Sequence, residues 1–111
     1  MALEITTVDD ISIIQMPGRM DANNAPCIEA DLKAILVKSP KKLVLDFSET
    51  EYIASAGLKV LLLITRDLMK SGGKVTLVAL RPVVNKVFEM AGFTSIFSIC
   101  VSQEEAVQKM K

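Results

Sequence analysis

Apolar and polar positions follow two periods along this chain, and the switches between them mark its elements. Leu3 to Thr7 alternates apolar and polar, and Ile11 to Met16 is a second, β-branched run. With the short Asp9-Asp10 turn between them, the two predict an antiparallel hairpin that Pro17-Gly18 ends. A polar loop rich in helix-capping residues follows, Arg19-Met20-Asp21-Ala22-Asn23-Asn24. Asn23 or Asn24 can cap a helix that carries Pro26 in its first turn. Ile28, Leu32, Ile35 and Leu36 then recur at helical spacing, which leaves Glu29, Asp31 and Lys33 to solvent.

Ser39-Pro40-Lys41-Lys42 breaks that helix, and Leu43-Val44-Leu45 is a continuous apolar run of the kind covered on both faces of a sheet. It ends at Asp46. Tyr52-Ile53 is briefly extended, and Ser55 opens a helix predicted to reach Lys70, where Ser71-Gly72-Gly73 stops it. Lys74 to Leu80 reads as another buried strand. Pro82 starts a short helix with Val84, Val87, Phe88 and Ala91 on one face, closed by Gly92. Ser95 to Val101 predicts a last strand. Ser102-Gln103-Glu104-Glu105 has the form of a capping box before a final helix with Ala106, Val107 and Met110 inward. Helices alternating with buried strands predict a single α/β domain over residues 1–111. Its architecture is a sandwich with a mostly parallel central sheet, an N-terminal antiparallel hairpin and about four helices.

Composition narrows the function classes. Half the residues are hydrophobic (50%) and 23% are charged, the balance of a folded globular domain. Thirteen basic residues offset 13 acidic ones, so no net field draws the chain to nucleic acid or an anionic membrane, and neither is expected as a partner. No apolar run approaches the ~20 residues of a membrane span. Met1-Ala2-Leu3-Glu4 has no secretory pattern, so a cytoplasmic location is expected. Cys27 and Cys100 match no metal-ligand spacing and are read as small buried hydrophobes. Histidine is absent, which removes the commonest general base. Gly72-Gly73-Lys74 precedes a strand instead of joining a strand to a helix, so it is no phosphate loop. No enzyme, cofactor or metal is therefore expected.

The candidate chemistry gathers at the carboxyl ends of the strands, where such sheets place their sites. Ser55 stands where the helical pattern begins. One reading is an N-cap whose hydroxyl accepts a first-turn amide, worth about 1 kcal/mol. The other is a phosphoacceptor, because a helix N-terminus tolerates the ~2 negative charges of a phosphate. Asp46 either caps a local turn with Ser48 or offers an acidic group beside Ser55. On the helix, Leu58, Leu61, Leu62, Thr65, Leu68 and Met69 are assigned to the core face. Lys59, Arg66 and Lys70 mark the opposite stripe, with Leu63 in its middle as a candidate apolar contact for a partner.

Together these segments resemble the STAS domain, and within it the bacterial anti-sigma factor antagonists. The resemblance centres on Leu43-Val44-Leu45-Asp46-Phe47-Ser48 and on Tyr52-Ile53-Ala54-Ser55-Ala56-Gly57-Leu58. Gly18-Arg19-Met20-Asp21 and Phe88-Glu89-Met90-Ala91-Gly92-Phe93 extend it. It implies partner switching: an anti-sigma factor with serine kinase activity binds the unmodified chain and releases it after phosphorylating Ser55, and a phosphatase resets the serine. Asp21 and Asn23 would then lie in the binding loop. The implied partner surface comprises Asp21, Asn23, Asp46, Ala54, Ser55, Ala56, Gly57, Lys59 and Leu63. Many antagonists carry an acid where Ala54 stands and a hydroxyl residue where Ala56 stands. That departure motivates an alternative, a ligand-sensing or scaffolding STAS module that works without phosphorylation.

Overall fold

A computed structural model describes residues 3–38 and 41–110, so the predicted break at Ser39-Pro40 lies outside the described residues. The hairpin forms from β1 (Glu4–Val8) and β2 (Ile11–Gln15), turning at Asp9, whose φ is +55°. Then follow β3 (Arg19–Met20), α1 (Ala25–Leu36), β4 (Lys42–Asp46), β5 (Tyr52–Ile53) and α2 (Ser55–Lys70). The rest is β6 (Lys74–Val78), α3 (Pro82–Met90), a 3-10 turn over Phe93–Ser95, β7 (Ser98–Cys100) and α4 (Gln103–Met110).

Five strands make the main sheet in the order β1-β2-β4-β6-β7. Only β1 runs antiparallel to its neighbour; β2-β4, β4-β6 and β6-β7 are parallel pairs. Register aligns Ile14, Leu45 and Leu77 across one face, where they join the larger core with α1 and α2. Ile13, Val44 and Val78 face the other way, into a second core closed by Ala106 and Met110 of α4. Side chains alternate along a strand, so a strand covered on both faces must be apolar throughout. The run Leu43-Val44-Leu45, wholly buried, shows this directly. Each such side chain contributes about 1.5–3 kcal/mol of burial.

The structure moves several predicted boundaries. β6 stops at Val78, short of Leu80, because Ala79 takes a left-handed conformation at φ +59°. β7 is shorter than Ser95–Val101, its start being taken up by the 3-10 turn. In α2, Val60 and Ile64 are buried as well, whereas Met69, assigned to the core, is 62% exposed. Beyond Leu68 the helix overhangs the sheet, so the core stripe ends there. Ala91 of the α3 ending is likewise exposed, and Cys27 lies on the outer side of α1 while Cys100 is buried as expected. Phe88 anchors α3 through edge-on contacts with Phe47 (6.0 Å) and Phe97 (5.9 Å).

Candidate functional site at the start of helix 2

Two short strands position Ser55. β3 pairs in parallel with β5, Arg19 beside Tyr52 and Met20 beside Ile53. The Ala54 amide then donates to the Met20 carbonyl at 2.8 Å, which keeps the chain extended through Ala54. The helix therefore starts one residue earlier than a serine cap would require. Ala54 is the cap residue, at φ −106° and ψ 174°, and no side chain caps the helix. The Ala54 carbonyl instead accepts from the amides of Gly57 (2.9 Å) and Leu58 (3.1 Å). Ser55 is thus the first helical residue, not the N-cap. Its side chain is exposed, and its hydroxyl has no hydrogen-bond partner among the described residues.

The neighbouring loop is built around Asp21. Its Oδ2 accepts from Arg19 Nε at 2.6 Å, and its Oδ1 accepts from the Asn23 amide at 3.0 Å and, more weakly, the Asn24 amide at 3.4 Å. Asn24 Oδ1 accepts the Asp21 amide (3.0 Å) while its Nδ2 donates to the Arg19 carbonyl (2.6 Å). Asn24 thus occupies the cap position of α1 but spends its side chain on the loop. The Arg19 guanidinium beside Asp21 holds that carboxyl below the ordinary carboxylate range, helped by the two amides. Arg19 also stacks on Tyr52, its Cζ 4.8 Å from the ring centroid. Sequence reasoning picked out neither Arg19 nor Tyr52 as functional. Parallel pairing over two residues leaves no periodic signal to find.

Of the implied surface, the fold brings Asp21 and Asn23 to the same ribbon as Ala54 and Ser55, and Lys59 lies exposed one turn along α2. Three residues take other places. Asp46 is 5% exposed; its Oδ1 accepts from the Ser48 amide at 2.7 Å and its Oδ2 from Gln103 Nε2. Strand alternation turns it toward α4, so its carboxylate ties the Ser48 turn, one of its two sequence readings, to a helix. Gly57 is buried, where α2 crosses the ribbon. Leu63, expected amid the charged stripe, is half-buried, as is Ala56.

A second set of bonds braces the loop between β4 and β5. Arg81 Nε donates to the Ser48 carbonyl (2.8 Å), Thr50 Oγ1 to the Pro17 carbonyl (2.8 Å), and the Glu51 amide to the Gly18 carbonyl (2.8 Å). Among the described residues no group of three His, Cys, Asp or Glu side chains is arranged to hold a metal ion. Nor is any helix there long and apolar enough to cross a membrane.

Known proteins are similar to this chain in sequence and in fold. BtrV of Bordetella bronchiseptica, which carries the name of an anti-sigma factor antagonist, is 38% identical over 100% of this chain and 96% of its own. A crystal structure from Thermotoga maritima, described in the same terms, superposes with a TM-score of 0.90 at 28% identity, covering 96% of this chain and 92% of that one. An anti-sigma factor antagonist from Mycobacterium paratuberculosis gives 0.88 at 27% identity, covering 97% and 92%. The sequence profile of the STAS domain matches residues 2–106, and the chain belongs to the STAS domain family.

Proposed function

We propose that this chain is an anti-sigma factor antagonist that acts in the cytoplasm by partner switching, with Ser55 as its phosphoacceptor. Relatives that carry the antagonist name over their whole length support the general role. One observation carries the switch: an exposed serine opens α2 with its hydroxyl unused by the fold, beside the Asp21–Asn24 loop. In the transfer, Ser55 Oγ attacks the γ-phosphorus of ATP, the bond to the β-phosphate oxygen breaks and ADP leaves. The hydroxyl proton passes to a base of the kinase. The helix start accepts the product, because the first-turn amides and the dipole favour negative charge. The unmodified surface, with Asp21, Asn23, Ala54, Ser55 and Lys59, engages the anti-sigma factor. The added charge breaks that contact, and a phosphatase restores it by hydrolysis.

The test uses a serine kinase of the anti-sigma type. Incubation with it and ATP is expected to add one phosphate, and Ser55→Ala to abolish the gain. The unmodified chain is expected to bind the kinase in calorimetry, and the phosphorylated chain to bind at least about tenfold more weakly. Tight binding that is indifferent to phosphate on Ser55 would sink the switch and favour a scaffolding module.

A further inference from the structure

Arg19 and Asp21 form an ion pair on the ribbon that leads into Ser55, and its geometry bears on what a phosphate would do there. Extending the β3–β5 register by one residue sets Asp21 opposite Ala54, the residue before Ser55. Arg19 Nε reaches Asp21 Oδ2 at 2.6 Å, so the guanidinium leans along the ribbon toward α2. It does so on the flat platform of Tyr52, and its side chain is 69% exposed. Asp21 in contrast is largely enclosed, its side chain 16% exposed, and its other oxygen holds the amides of Asn23 and Asn24. The loop's shape therefore depends on a carboxylate steadied by one exposed cation.

We infer that Arg19 is a phosphate-responsive latch: it holds Asp21 in the unmodified chain and transfers to the phosphate when Ser55 is phosphorylated, loosening the Asp21–Asn24 loop. This rests on Ser55 being the phosphoacceptor. A phosphoserine brings about −1.5 to −2 charges against the single charge of Asp21, and three oxygens that match the guanidinium fork. The same charge repels the Asp21 carboxylate. Both effects act in one direction, so the loop that faces the partner changes along with the serine. Lys59, one turn along α2, forms no ion pair among the described residues and is the competing cation.

The test needs no kinase, because phosphoserine can be encoded at position 55 of the full chain. Hydrogen exchange at the Asn23 amide is expected to be at least about fivefold faster in the phosphoserine protein than in the unmodified one, with a shift of the Arg19 Nε–H resonance. Arg19→Gln in the unmodified chain is expected to reproduce the faster exchange. In the phosphoserine protein it should raise the second phosphate pKa, read by phosphorus NMR, by about half a unit. Unchanged Asn23 exchange on phosphorylation would overturn the latch. So would a phosphate titration that responds to Lys59→Gln and not to Arg19→Gln. If Arg19→Gln fails to fold, the comparison of serine with phosphoserine in the native background still decides. A kinase that ignores Ser55 would refute the phosphoacceptor reading while leaving these shifts in place, so the two failures are distinct.

Discussion

Gly57→Ala puts two opposed effects against each other at the point where α2 meets the ribbon. A Cβ at position 57 would lie 2.9 Å from Met20 Cβ, 3.1 Å from Ile53 Cγ1 and 3.2 Å from the Met20 carbonyl oxygen. Carbon atoms settle at about 3.5–4.0 Å, so the first contact is short by about 0.6 Å or more. Met20 Cβ and carbonyl belong to the rigid part of β3 and cannot swing aside. The helix start must lift instead, at an overpacking cost of about 1–3 kcal/mol. Alanine recovers up to about 1 kcal/mol over glycine in a helix. The net expectation is a loss of about 1 kcal/mol, or about 4 °C in Tm, followed by urea titration and thermal melts. Amide shifts should concentrate at Met20, Ile53, Ala54 and Ser55. Gly72→Ala is the contrast: that Cβ meets nothing within 4 Å, but φ is +83°, so a similar loss of about 1 kcal/mol should leave the Ser55 amides unmoved. A Gly57→Ala protein about 1 kcal/mol more stable than the parent would mean that propensity acts alone, and would refute the close approach.

Asp46→Ala removes the acceptor shared by the Ser48 amide and Gln103, and is expected to cost about 2–3 kcal/mol in urea unfolding, with faster hydrogen exchange in α4. Ala79→Gly relieves a left-handed alanine at φ +59° and should raise the unfolding free energy by about 0.5 kcal/mol in the same assay. The folded pKa of Asp21 lies below its unfolded value, chiefly through Arg19. Its contribution is therefore present in full above the ordinary carboxylate range and lost as pH falls through the depressed value. Arg19→Gln should move the Asp21 carboxyl titration, followed by carbon NMR, back up toward the ordinary carboxylate range. Leu61→Ala, at a fully buried position of α2, should cost about 2–5 kcal/mol in thermal unfolding.

Much of this molecule is legible in one dimension. Alternation in Ile11–Met16, the uninterrupted Leu43-Val44-Leu45 run and the 3.6-residue rhythm of Leu58, Leu61, Thr65 and Leu68 each follow from local geometry meeting a core. The serine at a helix start was equally visible, and so was Ser102, whose hydroxyl accepts the Glu105 amide at 3.2 Å as its capping pattern requires. Where the reading missed, a distant partner had overridden a local preference. Ser55 lost the cap position because the carbonyl of Met20 claims the Ala54 amide from across the ribbon. Asp46, by contrast, makes the turn with Ser48 that the sequence offers, and only its contact with Gln103, far along the chain, lay beyond local pattern.

The sequence by itself determined the order of the helices and of the longer strands, and that the serine opens a helix, because these depend on residues a few positions apart. Only the tertiary structure decided that Arg19 and Met20 pair alongside Tyr52 and Ile53, the short strand that leads into that serine. The contact comes from a parallel pairing of two residues with two, between segments more than 30 positions apart in the chain. No pattern within either segment specifies that pairing. It is imposed by the packing of Met20, Ile53 and Leu58 in the core beneath, with the bare backbone of Gly57 allowing the close approach.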